Sequence, residues 1–294
     1  MSLRCIYIRC CLLIYALILA SGCTEKIDIE LDSTYARLAV EGYVNTDSLK
    51  HHIILTVTSD YFSNEEPPGL SNALVELTFE GETMQLVEND TVPGLYEAPY
   101  AFRGSIGTTY ELDISQVDVN QDGEEEQYHA SSTMPGGPEL DYIELKYFPT
   151  AVASGYAVFM YGNHPAEQSD WLGFRLFKNG ILLTTTLSEY GVLSDDIFDS
   201  GYFPGLPVGY LSDEEPDQAV HPGDTITLEL NCIEKAYYDF VSGAQLEIIG
   251  YNPLFSGPSA NVASNLSNGA FGIFAAYSIQ RSSVIASEKK RVSY

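Results

Sequence analysis

Two β-sandwich-like domains, the second carrying one packed α-helix, are what this 294-residue sequence predicts, and three observations place it in the all-β class. Its 24 Gly, 14 Pro and 21 Tyr suit strands and turns better than a helical bundle. Its apolar residues alternate with polar ones in short runs, the period of a half-buried strand. Only one stretch places apolar residues on a 3.6-residue period. At about 150 residues per domain, the length predicts roughly two domains.

In chain order, residues 1–22 have the three parts of a secretory signal: Arg4 and Arg9, the apolar run Cys10 to Ala20, and the small residues Ala20, Ser21 and Gly22. The run is shorter than the roughly 20 apolar residues that a membrane-spanning helix requires. Leu19-Ala20-Ser21-Gly22-Cys23 resembles a bacterial lipobox, with alanine at the usual leucine position, so Cys23 is the predicted site of diacylglycerol and palmitate attachment. Acyl chains contribute about 0.8 kcal/mol per buried methylene, so two or three anchor a soluble body stably. Residues 23–33 read as an acidic tether, with Glu25, Asp28, Glu30 and Asp32.

Residues 34–135 predict an N-terminal sandwich of immunoglobulin or transthyretin type. Ile53, Leu55 and Val57 alternate with polar neighbours, as do Ala73, Val75, Leu77 and Phe79, and then Tyr110, Leu112 and Ile114. Turn signals stand between them at Pro67-Pro68-Gly69, Pro93-Gly94 and Asp122-Gly123. Met134-Pro135-Gly136-Gly137-Pro138 breaks any continuing element and reads as a linker, so the C-terminal β-rich domain is expected over 139–294. There, Trp171 to Phe177, Asn179-Gly180 and Ile181 to Leu187 predict a hairpin, because Asn-Gly takes the positive φ angles of a type I′ turn. Alternation over Thr225 to Cys232 puts Cys232 on the buried face with Ile226, Leu228 and Leu230. Ile233, Tyr237, Phe240, Val241 and Ala244 mark the helix, and Phe271 to Ile279 a further strand.

Lys+Arg 14 against Asp+Glu 41 gives a net charge of −27, which repels nucleic-acid phosphates and excludes a nucleic-acid partner. With Cys5, Cys10 and Cys11 in the signal and Cys23 acylated, Cys232 is left alone, so neither a disulfide framework nor a thiolate metal cluster is expected. Asp118, Asn120, Asp122 and Glu124 copy the first half of a calcium loop, with Gly123 at the turn, whereas His129 stands where a bidentate glutamate belongs. An acidic hairpin turn is the competing reading. Asp195, Asp196 and Asp199, with Asp213, Glu214, Glu215 and Asp217, are acidic runs flanking an aromatic stretch. Two carboxylates at a set separation would suit glycoside hydrolysis, and a carboxylate-dependent hydrolase acting on an envelope or nutrient glycan is the alternative function. His51 and His52 point to opposite faces of a strand and do not chelate one metal together. Ser287 and Lys290 match a Ser-x-x-Lys spacing without its companion motifs. The segment from Asn252 to Asn268, including Phe255, Asn261 and Asn265, lacks periodicity and is the candidate interaction loop.

Several motifs in order resemble one family. They are Cys23-Thr24-Glu25 with Ile27-Asp28-Ile29, Val40-Glu41-Gly42-Tyr43-Val44, Thr58-Ser59-Asp60-Tyr61-Phe62, Tyr128 to Pro135, Pro222-Gly223-Asp224-Thr225-Ile226, Asn252-Pro253-Leu254-Phe255 and Gly269 to Phe274. Over the mature chain the sequence is similar to the envelope lipoproteins of the domain of unknown function 4249 family, common in Bacteroidota. Such proteins are often encoded beside TonB-dependent outer-membrane receptors. The resemblance therefore implies an outer-membrane lipoprotein that assists such a receptor in nutrient uptake as a non-catalytic binding or assembly partner, without cofactor. It supplies neither a small-molecule or glycan ligand nor an active site.

Overall fold

Alternating burial fixes the strands of the computed structural model, which describes residues 36–59, 66–120, 122–149, 154–163, 170–194, 201–249 and 262–288. The first eight strands are β1 (Leu38–Asn45), β2 (His52–Val57), β3 (Leu74–Phe79), β4 (Glu82–Gln85), β5 (Val87–Glu88), β6 (Leu95–Glu97), β7 (Thr109–Val117) and β8 (Glu126–Thr133). Then follow β9 (Glu139–Phe148), β10 (Gly155–Asn163), β11 (Trp171–Lys178), β12 (Ile181–Leu182), β13 (Gly191–Ser194), β14 (Tyr202–Ser212) and β15 (Thr225–Ile233). Helix α1 (Lys235–Ile249) and the long strand β16 (Phe271–Ile285) complete the described fold. The class is all-β with a single described helix, as the composition and periodicity predict.

Three sheets are formed. A nine-stranded sheet runs β12-β11-β15-β16-β1-β2-β6-β5, with β13 also paired to β11; the others are β4-β3-β7-β8 and β14-β10-β9. Both small sheets cover the same face of the large one. Phe274 and Ala276 of β16 join the core with β3, β7 and β8, while Val284, farther along the same side of β16, packs with β10 and β14. The odd-numbered Ile273, Ala275 and Tyr277 point the other way and meet Tyr237 and Val241 of α1. The large sheet thus carries two β layers on one face and a helix on the other.

The predicted boundary at 134–138 divides neither the large sheet nor the N-terminal core, which takes in Leu266, Ala270, Phe274 and Ala276 from beyond it. β1 and β16 pair in parallel from Ala39↔Phe271 to Asn45↔Tyr277, so a C-terminal strand lies beside the first N-terminal one. Residues 35–294 group as one unit. The Pro/Gly segment lies along β16: Ser278 Oγ donates to the Pro135 carbonyl at 2.8 Å, and Gln280 Nε2 to that of Pro138 at 2.6 Å. A Cβ at Gly137 would overlap the Cys232 sulfur, which accounts for glycine there.

The Asn-Gly hairpin forms as predicted, Asn179 at φ 52° and Gly180 at φ 81°. Its second strand is shorter than Ile181 to Leu187, because only Ile181–Leu182 pairs before the chain leaves the sheet. It returns to the same strand as β13, Gly191 opposite Phe174. Residues 183–190 are thereby pushed out over the helix-bearing face.

Candidate functional site

The protruding loop and the helix, hydrogen-bonded to one another through Gln245, rise from the large sheet and border a cleft of 520 Å³. Its floor comes from β1, β2, β11 and β16, with Val40, Ile54, Arg175 and Ile273 among the lining residues; Thr184, Thr186 and Leu187 form one wall, Tyr237 and Phe240 the other. That volume lies within the roughly 300–1,000 Å³ usual for small-molecule sites.

The walls are fixed by specific bonds. One Glu189 carboxylate oxygen accepts the Thr185 and Thr186 backbone N–H groups, each at 2.9 Å. The Thr186 backbone bond, first among these, holds the Glu189 carboxyl below the usual carboxylate range. From the helix, Gln245 Nε2 donates to the Leu187 carbonyl at 2.9 Å and to that of Tyr190 at 2.7 Å. Tyr190 closes the base, its hydroxyl accepting from Asn231 Nδ2 at 3.1 Å. It lies over Gly173, where any Cβ would overlap that hydroxyl. Burial raises the Tyr190 and Tyr237 phenols well above their ordinary value, so both remain protonated at neutral pH. Their rings lie 6.1 Å apart, and the Tyr43 ring is 5.5 Å from Tyr237.

Two arginines lie in one row across β11, β15 and β16, because Arg175 is opposite Glu229 and Glu229 opposite Arg281. Arg281 is fully engaged. It donates to Glu229 Oε2 from Nε at 2.9 Å and from Nη2 at 2.6 Å, and grips both Asp47 oxygens, at 2.9 and 2.6 Å. Its guanidinium, hydrogen-bonded to Asp47, holds that carboxyl below the usual range. Arg175 has no such partners. Among the described residues it makes neither a hydrogen bond nor an ion pair, and its guanidinium lies 5.2 Å from the Tyr190 ring centroid, facing the cleft.

The sequence-predicted sites lie elsewhere. Cys23, the signal, the tether and Asn252, Phe255 and Asn261 fall outside the described residues, as do Asp195, Asp196, Asp199 and Lys290. Asn265 is built into the fold: its Nδ2 donates to the Ser131 and Phe274 carbonyls at 3.2 and 2.7 Å, while its Oδ1 accepts from Phe274 N. Asn268 supplies a left-handed turn at φ 52° ahead of β16. In the β7–β8 turn, Asp118 accepts from the Asp122 and Gly123 N–H groups, and Asp122 accepts from Glu124 N at 2.8 Å and from Asn120 Nδ2 at 2.9 Å. These oxygens serve the backbone of the turn, and among the described residues no three His, Cys, Asp or Glu side chains gather as a metal site. Asp213 accepts from Tyr147, and Cys232 is buried with its thiol pushed up to about 11 by desolvation. Sequence reasoning missed the cleft. Its one legible trace is an arginine between Phe174 and Leu176 in an otherwise apolar strand.

The family profile described as Domain of unknown function (DUF4249) matches residues 24–283. None of the curated proteins matches the chain.

Proposed function

The chain belongs to the family described as Domain of unknown function (DUF4249), and from that premise we propose that it is a lipid-anchored, non-catalytic binding partner of a TonB-dependent transporter in the outer membrane. The observation that carries the reading is the cleft over Arg175, concave, largely apolar and braced on both sides by hydrogen bonds. Preformed apolar clefts with a few placed polar groups suit capture better than assembly alone. The signal-like residues 1–22 and Cys23 support tethering, since the body left without Arg4 and Arg9, with 12 Lys+Arg against 41 Asp+Glu, gains nothing from anionic headgroups and must be held by acyl chains.

The test is made in intact cells. The parent protein is expected in the outer-membrane fraction and a Cys23→Ala variant in the soluble fraction. The parent, solubilised in detergent, should bring a TonB-dependent receptor with it, and a variant lacking residues 253–261 should lose that receptor while keeping its unfolding midpoint. Full membrane retention of the Cys23→Ala protein overturns the anchor, and purification of the parent free of any receptor overturns the partnership.

A further inference from the structure

We propose that the cleft takes an organic monocarboxylate with an apolar body, its carboxylate paired with Arg175. The inference rests on reading the protein as a binding module and names what that module holds. A partly buried guanidinium without hydrogen-bonding partners is unfavourable, because a neighbouring carboxylate acting through space, here Glu229, does not replace the hydrogen bonds its donors lose on leaving water. Arg281, on the same face two strands away, shows the satisfied alternative, clasped by Asp47 and Glu229. Glu229 accepts its hydrogen bonds from Arg281 and acts on Arg175 only through space, which leaves the Arg175 guanidinium turned to the cleft with its donors unused among the described residues.

The chemistry of the lining selects the ligand. A planar guanidinium matches a carboxylate in a two-point grip, so the anionic end belongs at Arg175. Leu182, Leu187, Phe240 and Ile273 provide apolar surface for the remainder, and Thr184 and Thr186 also line the wall, their hydroxyls held by Leu176 N and Ser188. The charge balance sets the valence. Arg175 is the one cation among the described residues that line the cleft, Glu41 also lines it, and the chain as a whole carries −27, so a doubly charged phosphate meets more repulsion than the site offsets.

The mature chain is titrated calorimetrically with 3-phenylpropionate, with its neutral amide 3-phenylpropanamide, and with inorganic phosphate. The acid should bind saturably at one site, at least tenfold more tightly than the amide, and phosphate should not compete. Arg175→Gln should bring acid and amide to within about twofold of one another, while Arg175→Lys should keep part of the preference. Equal binding of acid and amide, no saturable binding of the acid, or displacement by phosphate would each overturn the proposal. The acid–amide comparison uses the unaltered protein, so it decides even where a variant fails to fold. Loss of acid preference together with intact membrane retention and receptor co-purification removes the ligand class and leaves the accessory role standing.

Discussion

Gly173 carries more of the site than its size suggests, because the absence of a Cβ lets the Tyr190 hydroxyl settle on β11 and close the base of the cleft. Gly173→Ala is expected to destabilise the protein by about 1–3 kcal/mol through overpacking, read as a lowered urea midpoint with unchanged slope, and to weaken ligand binding by moving Tyr190. His51 is a second residue whose surroundings decide its behaviour. It is 2% exposed, its Nε2 lies 3.2 Å from the Phe102 carbonyl, and burial depresses its pKa from 6.5 to about 4. The unfolded chain therefore binds this proton more readily than the folded one. The neutral ring's contribution is complete above about pH 6.5 and is lost as pH falls toward 4, a loss of about 3 kcal/mol at most. Stability measured from pH 7 to pH 4 should fall less steeply in His51→Phe than in the parent, and identical slopes would contradict the assignment. Cys232 was legible from alternation alone, since Leu228 and Leu230 share its face and all three are buried.

Among the elements, local rules predict shape and tertiary contacts set length. Asn179-Gly180 specifies its turn by backbone preference, so that hairpin could be read directly. Where β12 stops could not, because the departure at Leu183 depends on Glu189 and on Gln245 of a helix more than fifty residues away. Helix α1 follows its sequence period, Tyr237 and Val241 being buried, while Leu246 and Ile248 are exposed. The row Arg175, Glu229, Arg281 is invisible in sequence, since it depends on the registers of two strand pairs. Arg281→Ala should cost about 3 kcal/mol, because it leaves Glu229, 3% exposed, without its hydrogen-bonding partner. The deficit is read by urea unfolding of parent and variant, and equal midpoints would contradict the role given to Arg281.

For the whole molecule, the parallel pairing of β1 with β16 has the widest consequence. Phe274 and Ala276 complete the N-terminal core, so that core cannot close without residues from the far end of the chain. A fragment of residues 36–138 is expected to lack the cooperative unfolding and dispersed amide spectrum of a folded domain, and residues 36–288 should melt in a single calorimetric transition. Two resolved transitions, or a folded fragment, would contradict this.

The sequence by itself determined the β class, the position of the helix, the Asn-Gly turn and the burial of Cys232, because each follows from neighbours within about a dozen residues. Only the tertiary structure decided that one sheet contributes to all three hydrophobic clusters and that Arg175, unlike Arg281, has no hydrogen-bonded carboxylate among the described residues. Both depend on which strands pair and in what register, a choice made by contacts between residues more than fifty positions apart that no local period encodes.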